Sequence, residues 1–196
     1  MMIDDVLSVN KCGVESLKMN AMVLSKMATK RLELGASKCY QLHVGKAVST
    51  CHSLQVDTGL SMQQATRQRY LGDIVSSDTK IDANIQMRYD KGLSTNNEII
   101  SILREVNLGC HFFDIAFMLH SSLLINGILY STEALFKLNN NHIKKLMACE
   151  KDLLVKIFEC ERSVPTEALY IDSNITPINL ILIGRRIMYY WCILNP

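Results

Sequence analysis

The sequence predicts an α+β fold: a small antiparallel β region with one helix over residues 1–80, then an all-α region over residues 81–196. Three observations carry this. Hydrophobic residues make up 48% of the 196 positions, which argues against disorder and supplies enough apolar surface for a core. Before residue 80, short apolar runs alternate with glycine and polar breaks, as strands and turns do. After it, breaks are rare and apolar residues recur at helical spacing.

In order along the chain, residues 1–9 read as two strand pieces around Asp4-Asp5, closed by Gly13. Residues 14–34 read as a helix: Leu17, Val23, Leu24 and Met27 recur with Lys18, Lys26, Lys30 and Arg31 between them, and Gly35 is a helix stop. Residues 38–44 alternate as a strand does, and 54–56 form another. Residues 61–68 are a polar connection into a strand at 70–75 with Gly72 inside it, and 76–79 form a turn. Helices are expected over 81–103, 112–138, 141–158, 165–170 and 177–193. The Asn139-Asn140-Asn141 run offers an N-cap. Pro165 and Pro177 suit first-turn positions, with Ser163 and Thr176 as caps.

Charge and cysteine content narrow the function classes. A net charge of +2 is too mild to announce nucleic-acid binding, so any electrostatic footprint is local. Seven cysteines, an odd number with no Cys-x-x-Cys, fit a reduced intracellular setting, cytoplasm or nucleus, better than a disulfide framework. Cys51-His52, and His142 with Cys149 and Cys160, lack zinc-site spacing. The most apolar stretch, 112–129, contains Asp114, His120 and Asn126, and reads as a buried core helix, with no membrane partner expected.

Asp4-Asp5 is the first candidate for chemistry. Adjacent carboxylates at a tight strand turn can hold divalent metal ions for phosphoryl transfer, although an acidic pair in a loop is ordinarily a solvated turn. The residues that follow add weight through their order. Met2-Ile3-Asp4-Asp5-Val6-Leu7 resembles the x-x-Asp-Asp hairpin of reverse transcriptases. The helix over 14–34 follows, and Leu34-Gly35-Ala36-Ser37-Lys38-Cys39 resembles the glycine-to-lysine segment after the palm helix. Tyr70-Leu71-Gly72-Asp73-Ile74-Val75-Ser76 resembles the primer-grip strand. Leu124 to Leu129, Asp152 to Ile157, Pro165 to Tyr170 and Arg185 to Met188 are similar to the thumb and following region of non-LTR, LINE-type retrotransposon enzymes. The resemblance spans essentially the whole chain, and the succession of motifs is more specific than any one of them.

The resemblance implies a partial palm over 1–80 and a helical thumb and connection over 81–196. It implies that Asp4 and Asp5 bind Mg2+ in the parent enzyme, that Lys38 lies near the incoming triphosphate, and that Tyr70, Leu71 and Gly72 hold the primer end. RNA template and DNA primer would be the partners. Lys80, Arg88 and Lys91 are carried as phosphate contacts, with Arg104, Lys144, Lys145, Lys151, Lys156, Arg185 and Arg186 on later helices. Acidic neighbours dilute that field, so most of these lysines and arginines read more readily as solvated helix faces than as phosphate contacts. Tyr189-Tyr190-Trp191 can stack on bases or belong to an apolar helix end.

Departures from the family pattern shape the expected activity. The family's other metal-binding aspartate and its fingers lie upstream of the acidic hairpin, and Asp4 is almost the first residue. Residue 135 is leucine where the family often has tryptophan. Under-ligated carboxylates hold magnesium poorly, so the expectation is a polymerase fragment inactive alone, binding no Mg2+ stably. The rival readings are a non-catalytic nucleic-acid or protein interaction module, and a functionless relic that self-associates through exposed apolar surface.

Overall fold

The computed structural model describes residues 22, 29, 40–42, 63–70, 72–106, 108–135 and 138–195. Two compact units divide the chain, Met1–Lys80 and Ile81–Pro196. Each is described by itself.

In the first unit, Met22 and Thr29 have helical backbone. Strand β1 (Tyr40–Leu42) pairs in parallel with β2 (Gln63–Ala65). The chain between Leu42 and Gln63 is long enough for the crossover that parallel pairing requires. The expected sheet, antiparallel throughout, is corrected to that extent. Strand β3 (Arg67–Tyr70) pairs antiparallel with β4 (Asp73–Ser76), with Tyr70 opposite Asp73. Residues 70–75 are therefore a hairpin rather than one strand. Gly72 sits in its turn at φ +89°, a conformation that costs glycine little and other residues much. The polar run over 61–68, expected as a connection, supplies β2 and the first half of β3.

The second unit is helical: α1 (Asp82–Glu105), α2 (Phe112–Leu119), a π-helical segment (His120–Ile125), α3 (Asn126–Leu129), α4 (Asn140–Ile157), α5 (Thr166–Ser173) and α6 (Ile178–Leu194). The π segment joins α2 and α3 into one helix, Gly109–Leu129. Its length and mean hydropathy of 1.6 would let it cross a membrane, but Ala116, Leu124, Ile128 and Leu129 are fully buried against the neighbouring helices. Phe113 and Met118 lie on an exposed face, so the helix is a core helix on one side only. It ends with its apolar run at Leu129, well short of the 138 expected for the helix. Tyr130 turns extended, Ser131 takes the left-handed region at φ 59°, and the buried Thr132 hydroxyl donates to the Leu129 carbonyl at 2.8 Å. These residues close the helix without glycine or proline.

The buried stripe of α1 is Ile85, Arg88, Gly92, Asn96, Ile99 and Leu103, with Asn84 beside it. Its period is helical, but three of its groups are polar. Arg88 and Asn84 bond each other within α1, and Arg88 and Asn96 also take partners from outside it. The Arg88 side chain donates to Asn84 Oδ1 and to the carbonyls of Ile128 and Tyr130, the orphan acceptors at the end of α3. Asn96 Nδ2 donates to the Cys149 carbonyl at 2.9 Å and to Asp152 at 3.3 Å. Gly92 lets α1 approach closely, since a Cβ there would stand 2.5 Å from Cys149 Sγ and 2.8 Å from Ile128 Cδ1.

Asn139 caps α4 in a capping box with His142. Its side chain accepts the His142 N–H at 2.9 Å, and His142 Nδ1 accepts the Asn139 N–H at 3.3 Å. That leaves Nε2 as the ring donor toward Asp82 Oδ1, at 3.1 Å. The caps expected at Ser163 and Thr176 are not used: Pro165 and Pro177 are themselves the N-cap residues, with no side-chain cap bond. At α6 the missing cap is replaced by a distant carboxylate. The fully buried Glu150 accepts the Ile178 N–H at 3.0 Å, the Tyr170 hydroxyl at 2.6 Å and the His120 Nε2 contact at 2.9 Å. One side chain thereby ties together the π segment, α4, α5 and α6.

Candidate nucleic-acid interface

In the first unit, antiparallel pairing fixes which side chains share a face. Arg67 opposes Ser76 and Arg69 opposes Ile74, so the two arginines, two residues apart, project from the same side of the hairpin. Both are exposed and make no hydrogen bond or ion pair with any described residue. The turn after β4 is held by Asp78, whose Oδ1 accepts the Ser76 hydroxyl at 2.5 Å and the Lys80 N–H at 3.0 Å. Those two hydrogen bonds, with the Lys80 and Arg67 charges, hold its carboxyl below the usual range. Lys80 leaves this turn exposed. Three cations thus accompany one short hairpin, a set suited to phosphate oxygens. On sequence alone Arg67 falls in the polar connection over 61–68, and Arg69 lies between it and the expected strand. Their signal was the alternation Arg67, Gln68, Arg69, Tyr70.

Of the expected primer-grip residues, Tyr70 closes β3 and Gly72 makes the turn, while Leu71 lies outside the described residues. Asp4, Asp5 and Lys38 lie outside them as well, so the Mg2+ expectation rests on sequence. Among the described residues, no three His, Cys, Asp or Glu side chains are grouped to hold a metal ion.

In the second unit the expected cations separate into two kinds. Lys91 is exposed on α1, its stem near Gly127, and Lys144 is exposed on α4. Arg104 and Lys156 line one open cleft of about 390 Å³ between α1 and α4, with Asn97, Ile100, Ser101 and the acidic Glu105. Others are committed to packing. Arg88 is corrected most sharply: it is 3% exposed and bonded to backbone carbonyls, which removes it from phosphate reach. Lys145 bonds Gln86 and lies 5.4 Å over the Tyr89 ring. Lys156 also pairs with Asp152 at 2.8 Å, and Arg162 meets the same carboxylate at 2.9 Å. Burial pushes the Asp152 carboxyl up, but hydrogen bonds from Lys156 and Asn96, with the Lys156 and Arg162 charges, outweigh it and leave the pKa lowered.

At the far end of the helical unit, Arg185 Nη2 donates to Asn126 Oδ1 at 2.7 Å. Tyr189 packs edge-to-face on Tyr190 at 5.8 Å, and Trp191 is 64% exposed. Comparison with family models, with curated proteins and with solved structures finds no match.

Proposed function

We propose that these 196 residues are a palm, primer-grip and thumb portion of an RNA-directed DNA polymerase of the non-LTR retroelement type, and that their own contribution is to hold the primer–template. The observation that carries the reading is the β3–β4 hairpin. Of the motif that resembles the primer grip, Tyr70 closes β3 and Gly72 lies in the tight turn, and exposed Arg67 and Arg69 share one face of the strand leading into it. A glycine turn admits close backbone approach, and flanking arginines supply phosphate contacts. The ordered succession of the other motifs supports the same reading, as does the helical unit with Lys91, Arg104 and Lys144 exposed on its surface.

The test is a binding competition between an RNA/DNA hybrid with a recessed DNA 3′ end and the same hybrid with blunt ends. Preference for the recessed end, reduced in R67A/R69A, is the expected result. Equal binding of both, unchanged in the variant, would remove the primer-grip role. In a primer-extension assay with magnesium the purified chain is expected to add no nucleotides. Extension that depends on Asp4 and Asp5 would overturn that part.

One observation favours a second reading, a protein-interaction module. Leu180, Ile183, Ile187, Trp191 and Leu194 form a stripe on α6 with half or more of each side chain exposed. Nucleic-acid binding that is absent or insensitive to salt would favour that reading over the first.

A further inference from the structure

A cleft of about 460 Å³ opens between α3 and the turn after it on one side and α6 on the other, lined by Asn126, Tyr130, Ser131, Glu133, Arg185 and Tyr189. That volume is in the ordinary range for small-ligand sites, roughly 300–1,000 Å³. Glu133 stands out within it. It makes no hydrogen bond or ion pair with any described residue, and its Oε2 is enclosed without a donor. A carboxylate oxygen so placed has already lost water, so a ligand donor is gained at little further desolvation. Glu133 lines the cleft and its terminal torsion is soft, so rotation about it brings a carboxylate oxygen to a ligand there. Arg185 is held at the rim by Asn126 and keeps its remaining donors uncommitted among the described residues. Two tyrosine rings complete the lining.

The lining sets the ligand chemistry. A carboxylate beside tyrosine rings suits a flat ring with adjacent N–H donors on one edge. An arginine at the rim suits an anion attached to that ring. Among nucleobases, guanine places a ring N–H and an exocyclic amino group side by side, whereas adenine and cytosine offer the amino group alone. We propose that this cleft takes an unpaired guanine nucleotide of a nucleic-acid strand, with Glu133 accepting from the base edge, Tyr130 or Tyr189 against its face, and Arg185 at the flanking phosphate. The inference rests on the nucleic-acid reading above and names a base specificity that the reading does not contain.

The test uses the full chain and labelled single-stranded octathymidylates carrying one central guanine, hypoxanthine or adenine, with affinity read by fluorescence anisotropy. Hypoxanthine keeps the ring N–H and loses the amino group. Guanine is expected to bind about tenfold more tightly than hypoxanthine and more tightly still than adenine, the usual worth of a charge-assisted base contact. E133Q is expected to weaken the guanine strand about tenfold and to erase the difference. The hypoxanthine comparison needs no variant, so it decides the matter even if E133Q melts. Equal affinity of the unmodified chain for the three strands overturns the guanine site while leaving phosphate binding intact. Failure to bind any of the three, together with a primer–template hybrid, overturns both readings.

Discussion

Glu150 shows at a single position how a polar side chain organises this fold. It is fully buried yet accepts from His120, Tyr170 and the Ile178 backbone, so its desolvation is offset by three donors from three other segments. Glu150→Ala is expected to lower unfolding free energy by about 3–5 kcal/mol, as removal of one member of a buried charged network does. Denaturant melts check this, and a loss below about 1 kcal/mol would contradict the hub. Cys149, the residue before it, has its thiol pushed up to about 12 by burial first and then by the Asp152 carboxylate. It is expected to resist alkylation at neutral pH while exposed Cys110 and Cys192 are modified, with mass spectrometry resolving each site. A buried free thiol at Cys149 agrees with the sequence, whereas Glu150 was not legible, since it reads there as an acidic neighbour on a solvated helix face. The partners that bury Glu150 are between 20 and 30 residues away. Arg88 misled for the same reason: a lone arginine on a helix looks like a surface cation until its carbonyl partners are placed.

At the scale of elements, the helices of the second unit were largely legible from apolar period, because α1 and α4 each bury a stripe at helical spacing. The end of the composite helix was not. Tyr130 and Ser131 break it by backbone conformation rather than by composition. The π segment was equally silent, since the widened turn that carries His120 toward Glu150 leaves no residue signature. Two predictions belong here. Gly92→Ala would drive a methyl group into Cys149 and Ile128 where α1 meets α3 and α4, with an expected cost of about 1–3 kcal/mol from overpacking. A variant as stable as the parent would contradict the close approach. The α5 contact gives a pH dependence. Burial first, then the Glu150 charge, raises the Tyr170 pKa above its ordinary 10.0. The folded state therefore keeps the phenol proton that the unfolded chain releases, so the stabilisation is complete below pH 10.0 and declines as pH rises above it. Melting temperature against pH should fall less steeply above that value in Y170F. Identical slopes would contradict the burial.

For the whole molecule, an α+β composition was legible from the change in patterning, and the structure bears it out in that general sense, with two small strand pairs and a helical unit. The parallel pairing of β1 with β2 was not, since strand partnership depends on the chain between them rather than on either strand. The candidate site was legible in part. Tyr70 and Gly72 were singled out by resemblance, whereas Arg67 and Arg69 emerge only once the hairpin register puts them on one exposed face. The proposed function depends on those cations meeting phosphates. The most direct test is the affinity of the chain for an RNA-template/DNA-primer hybrid measured against salt concentration. With Arg67, Arg69, Lys80 and Lys91 engaged, the log–log slope is expected near about −3 to −4, at roughly −0.9 per phosphate contact, and R67A/R69A is expected to be shallower by about 2. A slope near zero, or one that R67A/R69A leaves unchanged, would contradict the account.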